Sequence, residues 1–166
     1  MELDPAAVSA RYAPSDERPL GSFLALMGTY GALVGVGALG LRRSGARLPE
    51  RVGVGDVALL AVATHKLSRL IAKDPVTSPL RAPFVRFAGT SGEAELNEEV
   101  RGTGPQKAIG ELVTCPFCVG QWVAVGALFG LIYAPRATRF VAAMFTIVAG
   151  SDFLQIAYKA AHDKGL

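Results

Sequence analysis

Cysteine is scarce in this chain of 166 residues, with two in all, Cys115 and Cys118. Two thiols exclude a secreted scaffold stapled by several disulfides. Histidine also occurs twice, and tryptophan once. Charge is missing where it matters most: residues 20–41 and 112–135 contain no Asp, Glu, Lys or Arg. A soluble helix of that length needs polar residues every turn or so on its wet face. Each uncharged run is instead long enough to cross a hydrocarbon core of about 30 Å. The hydrophobic fraction, 51%, barely exceeds that of soluble proteins, so distribution rather than composition assigns the chain to the membrane.

The formal net charge is +3. Its Lys and Arg residues sit beside the apolar runs, where they orient helices and meet headgroups. Basic and aromatic residues do not interleave as they do in single-strand binders, so the expected partner is a lipid bilayer and not nucleic acid. Residues 1–19 carry Glu2, Asp4, Asp16 and Glu17 without the basic start and short apolar stretch of a cleavable signal. They are expected to be a retained polar tail in which Pro5, Pro14 and Pro19 discourage a long helix.

The pattern predicts an all-α integral membrane bundle of about four transmembrane helices with one long polar loop. The first span, 20–41, is rich in glycine, and Gly31 and Gly35 form a small-xxx-small pair suited to close helix packing. A three-helix membrane domain, 53–160, is expected to follow. Its first helix, 53–73, is apolar early, with Asp56 placed to cap it or face its dipole. Later, Lys66, Arg69 and Lys73 share one face. This helix either crosses with its cations snorkelling to the surface or lies half-embedded. The polar loop is 74–111, of which 81–101 is the expected docking surface. The third and fourth spans, 112–133 and 137–158, form a hairpin through the short turn at Pro135.

Four crossings place 11 Lys and Arg on the face holding both termini and the long loop, against 6 on the other. The positive-inside rule then puts both termini in the cytoplasm of a bacterial cell, with the chain in its inner membrane. In this arrangement the second and fourth spans run the same way. His65, Lys66 and Arg69 should therefore lie at the depth of Asp152, with Cys115 and Cys118 near the same face. A carboxylate within a span needs a partner, and Arg69 and Lys66 are the candidates for Asp152. Such a pair either fixes helix register or forms part of a proton or ligand site.

Pro116 suits the first position of a helix capped by Cys115. Three roles remain open for Cys115-Pro116-Phe117-Cys118. The pair can simply pack the helix end, with no cofactor. It can act as a redox dithiol, since the motif resembles that of glutaredoxins, and four-helix quinone-linked disulfide oxidoreductases place Cys-x-x-Cys at a helix end near the membrane surface. It can also bind zinc with His65, completed by Asp152 or a second subunit.

Three stretches together resemble a family of small bacterial membrane proteins of unknown function typified by the sporulation protein YjcA. They are Lys66-Leu67-Ser68-Arg69-Leu70-Ile71, the run from Asp74 through Pro75, Pro79, Arg81 and Pro83 to Phe84, and the run from Ile109 through Cys115 and Cys118 to Trp122. The resemblance implies a helical membrane domain with a cytoplasmic-type loop before the Cys-x-x-Cys helix, and supplies no reaction or cofactor. The tail and first span are additions to that pattern. The expected function is that of an accessory or scaffold subunit without catalysis of its own, whose partners are other membrane-protein subunits. The alternative is a thiol-disulfide redox or metal-binding protein.

Overall fold

The structure is a computed structural model that describes residues 5–14, 18–45 and 48–165. The tail's acidic residues Glu2, Asp4, Asp16 and Glu17, and Arg47 of the first connection, lie outside the described residues. The chain is mostly helical: α1 (Pro5–Tyr12), α2 (Leu20–Ser44), α3 (Val54–Lys73), a 3-10 turn (Pro75–Thr77), α4 (Ser78–Arg81), α5 (Gly104–Thr114), α6 (Pro116–Tyr133) and α7 (Pro135–Asp163).

The all-α expectation needs correction. Strands β1 (Val85–Gly92) and β2 (Glu95–Val100) form an antiparallel hairpin, with Val85 opposite Val100 and Gly92 opposite Glu95. Bulges between Phe87 and Gly89 and between Thr90 and Gly92 interrupt the pairing. They blur the alternation that would otherwise mark a strand, which is why 74–111 reads as a loop. That segment is structured throughout, ending in α5. The expected third span at 112 begins at Pro116, because Cys115 adopts an extended conformation between α5 and α6.

Among the described residues, three helices are long and apolar enough to cross a membrane: α2, α6 and α7. The expected fourth, α3, falls outside that group because polar and charged residues fill its second half. The three apolar helices bury only 6%, 6% and 11% of their apolar windows inside the protein. Outward-facing Leu24, Met27, Phe140, Ile147 and Leu154 therefore require an apolar solvent.

The core joins α3, α6 and α7 through Leu60, Ala63, Leu131 and Ala142, with Leu59, Ala127 and Phe145 against them. Directions follow from cross-helix contacts. Along α3 and α7, Asp56 meets Arg139, Leu59 accepts a hydrogen bond from Thr146, and Lys66 meets Asp152. These helices are parallel. On α6, Gly120 lies against Thr64 and Ser68, while Ala127 and Leu131 lie near Leu60, so α6 is antiparallel to α3. Between α2 and α6, Tyr30 meets Trp122 edge-on at 5.2 Å, and Tyr133 donates a 2.7 Å hydrogen bond to the Gly37 carbonyl. That pair is parallel.

The glycines that admit this contact are Gly37 and Gly40. A Cβ at Gly37 would stand 2.5 Å from the Phe129 ring, and one at Gly40 would stand 2.6 Å from the Tyr133 hydroxyl. Nothing lies within 4 Å of such an atom at Gly31 or Gly35. Within one chain those two residues do not mediate helix packing, because the side of α2 facing α6 carries Tyr30, Gly37 and Gly40.

Candidate functional site

The polar architecture is organised by Arg81, which is 1% exposed. Two prolines on either side of a single helical turn fix the chain leading to it. The Asp74 carboxylate accepts from the Val76 N–H at 2.8 Å, and the Thr77 hydroxyl donates to the Leu70 carbonyl at 2.5 Å. Arg81 then folds back under the end of α3. Its guanidinium donates to the carbonyls of Ile71 (2.7 Å) and Asp74 (3.1 Å), to the Thr77 hydroxyl (2.6 Å), and to both carboxylate oxygens of Glu98 (2.5 and 3.2 Å). Only the planar five-donor fork of arginine can serve all of these at once. Arg81, together with the Thr77 hydroxyl, thus serves carbonyls at the end of α3 and clamps β2 to the bundle.

The base of the hairpin is fixed as well. Gln106 donates to the Pro83 carbonyl at 2.8 Å, and a Cβ at Gly110 would meet Val100 at 2.7 Å and the Phe84 carbonyl at 3.0 Å. At the tip, Arg69 binds Glu95 and Lys159 binds Glu93. The ammonium of Lys159 holds the exposed Glu93 carboxyl below its ordinary range, first by hydrogen bonding and then by charge.

Beneath the tip lies a cleft of about 910 Å³ between α3, the hairpin turn and the second half of α7. His65, Lys66 and Arg69 line it with Asp152, so these sequence-selected residues do meet at one depth. Of the two candidates offered for Asp152, Lys66 is the partner and Arg69 is not. Lys66 Nζ lies 2.5 Å from Asp152 Oδ2, whereas Arg69 turns to Glu95, with Nε at 2.8 Å. Glu95 was invisible as a competitor while its segment read as a loop. His65 stacks on Phe153 with ring centroids 6.4 Å apart. Asp56 sits in the first turn of α3 but makes no cap there; both its oxygens accept from Arg139 at 2.8 Å.

The cysteines stand apart from this cleft. Cys115 caps α6, and its sulfur accepts the Cys118 N–H at 3.2 Å. Both thiols are free; Cys115 is half-buried and Cys118 exposed. The set Cys115, Cys118 and His65 is not brought together, and no three His, Cys, Asp or Glu side chains among the described residues converge to hold a metal ion. The reason lies in the helix period. Successive residues point about 100° apart, so Thr64 and Ser68 face α6 while His65 and Lys66 face α7.

Sequence reasoning missed the Arg81–Glu98 centre. Its available signals were the Pro-x-x-x-Pro stiffening before Arg81 and the short turn after Gly92, which folds the acidic run back toward it.

Residues 59–158 match the family described as a protein of unknown function, DUF1360. The sporulation protein YjcA of Bacillus subtilis (strain 168) is 30% identical over 102 residues, which cover 60% of this chain and 86% of that protein. The UPF0713 protein YngL of the same organism is 26% identical over 90 residues, 52% of this chain and 65% of that protein. No solved structure matches at a significant level.

Proposed function

The chain belongs to the DUF1360 family of proteins of unknown function, and on that premise we propose an accessory or scaffold subunit of a membrane complex, without catalysis of its own. The observation that carries this reading is the hairpin. It is a structured element clamped at its base by Arg81–Glu98, yet it stands outside the apolar helices with most of β1 exposed. Phe87 is 67% exposed in the middle of β1. A fixed, accessible strand pair on a membrane anchor suits docking of another subunit. The experiment is gentle cross-linking followed by native purification of the intact chain and of Phe87→Ser. A membrane protein captured with the first and lost from the second is expected; identical recoveries would remove the hairpin from the interface.

The four-crossing topology belongs to this proposal. Its support is the alternation of helix directions, with α2 and α6 running one way and α3 and α7 the other. A surface-lying α3 would cross the bundle; instead this helix of 20 residues packs along α6 and α7 and is about 30 Å long. The charge count favours cytoplasmic termini in a bacterial inner membrane. Reporter fusions after Leu41, Ser91 and Leu166 are expected to place the last two on one side and the first on the other. The same report from 41 and 91 would take α3 out of the membrane.

A second reading, thiol-disulfide exchange at Cys115 and Cys118, is favoured by one contact: the Cys118 N–H directed at the Cys115 sulfur. The contact holds the two cysteines of the motif together at one helix end. The interaction reading gives slow labelling by a water-soluble maleimide at pH about 6.5, where ordinary thiols are protonated. Fast labelling of Cys115, together with a reversible Cys115–Cys118 disulfide, would transfer the protein to the redox class.

A further inference from the structure

We propose that the cleft beneath the hairpin tip binds the phosphate headgroup of an anionic amphiphile, with Glu93 and Glu95 as the protein's own competing anions. Four cations border the opening: Lys66, Arg69 and Lys73 from α3, and Lys159 from α7. They are neutralised unequally. Lys66 is held by Asp152 from within the bundle. Lys73 has no ion-pair or hydrogen-bond partner among the described residues, while the Asp74 carboxylate, which accepts from the Val76 N–H, also lines the cleft. Arg69 and Lys159 are matched only by side chains of the hairpin turn.

Of these two tip contacts Lys159–Glu93 is the more readily exchanged, since the Arg69 and Glu95 side chains are only 40% and 24% exposed. The Lys159 and Glu93 side chains are 57% and 71% exposed, and exposed pairs of this kind are weak and screened by salt. When the tip lifts, Arg69, Lys73 and Lys159 become three unmatched cations around a single opening, an arrangement suited to a phosphate group. The hairpin base is unaffected because Arg81–Glu98 lies elsewhere and is buried.

The remaining wall distinguishes an amphiphile from a free anion. Leu70, Phe153, Leu154 and Ile156 share the cleft with the cations, and the last three are exposed on α7. The cleft runs from the Lys66–Asp152 pair, beside the apolar halves of α3 and α7, to Lys73 and Lys159 nearer their polar ends, which is the level of the headgroups in a bilayer. Its volume of about 910 Å³ is in the range of small-molecule sites.

The test uses the full chain reconstituted in phosphatidylcholine containing a minor fraction of phosphatidylglycerol. Lipid retained through detergent exchange is then measured by native mass spectrometry. Phosphatidylglycerol should be retained preferentially. Glu93→Gln combined with Glu95→Gln should raise its affinity about fivefold by removing the internal competitors, and Lys73→Ala with Lys159→Ala should lower it about tenfold. Equal retention of the two lipids, or no response to either double variant, would overturn the site. Displacement of the lipid by inorganic phosphate at equal concentration would overturn the amphiphile assignment and leave a free-phosphate site. The proposal does not rest on the docking reading, since a hairpin that captures no partner still leaves the lipid preference to be measured.

Discussion

Arg81→Met is expected to destabilise the protein by about 3–5 kcal/mol, because it strands a buried carboxylate at Glu98. The same change removes the guanidinium donors from the Ile71 and Asp74 carbonyls, leaving Ile71 with only a long contact from the Thr77 hydroxyl. Two further variants separate the contributions. Arg81→Met combined with Glu98→Met removes both charges and should recover much of the loss, because a buried ion pair barely outweighs a well-packed apolar replacement. Arg81→Lys keeps the charge but cannot span a carboxylate, a hydroxyl and two carbonyls, so it should fall between wild type and Arg81→Met. Thermal unfolding in detergent gives the ranking. Limited proteolysis adds the location, since cleavage should begin in the hairpin as its clamp is released. Equal stability of Arg81→Met and the double variant would show that Glu98 is not left as an unpaired charge.

This centre also shows where the sequence stops being legible. The positions of α2, α3, α6 and α7 follow from the distribution of apolar residues and the prolines at 116 and 135, because a helix's period and ends are local properties. The parallel course of α3 and α7, and the meeting of Lys66 with Asp152, agree with the expectation drawn from alternating helix directions. What local pattern did not carry was the pairing of charges. Arg69 could reach Asp152 or Glu95, and the choice depends on a hairpin whose strands are short, bulged and mostly exposed. Arg81 was equally illegible as a buried residue. Its burial requires Glu98 from a strand 17 residues away and carbonyls from the end of α3, none of which marks Arg81 itself. Gly31 and Gly35 take no part in packing within the chain for a related reason: a small-xxx-small spacing shows that a close approach is possible, while the aromatic face of α6 selects Gly37 and Gly40.

Removing Asp152 alone is the second large effect expected. Asp152→Ala leaves Lys66 as an unpaired cation on a helix packed between α6 and α7, a loss of about 3 kcal/mol if the pair lies within the bilayer. Asp152→Ala with Lys66→Leu removes both charges and should be close to wild type in detergent thermal stability. Asp152→Ala with Arg69→Leu should not be rescued: Arg69 is bound to Glu95, so its loss adds independently. The comparison also reports on α3 itself. In water this pair, with side chains 19% and 42% exposed, would contribute at most about 1 kcal/mol, and the single and double variants would scarcely differ. A large loss restored by Lys66→Leu and not by Arg69→Leu therefore requires both the Lys66–Asp152 contact and an apolar surrounding at that depth. Additive losses in both double variants would remove direct pairing, and small losses throughout would place this half of α3 in water.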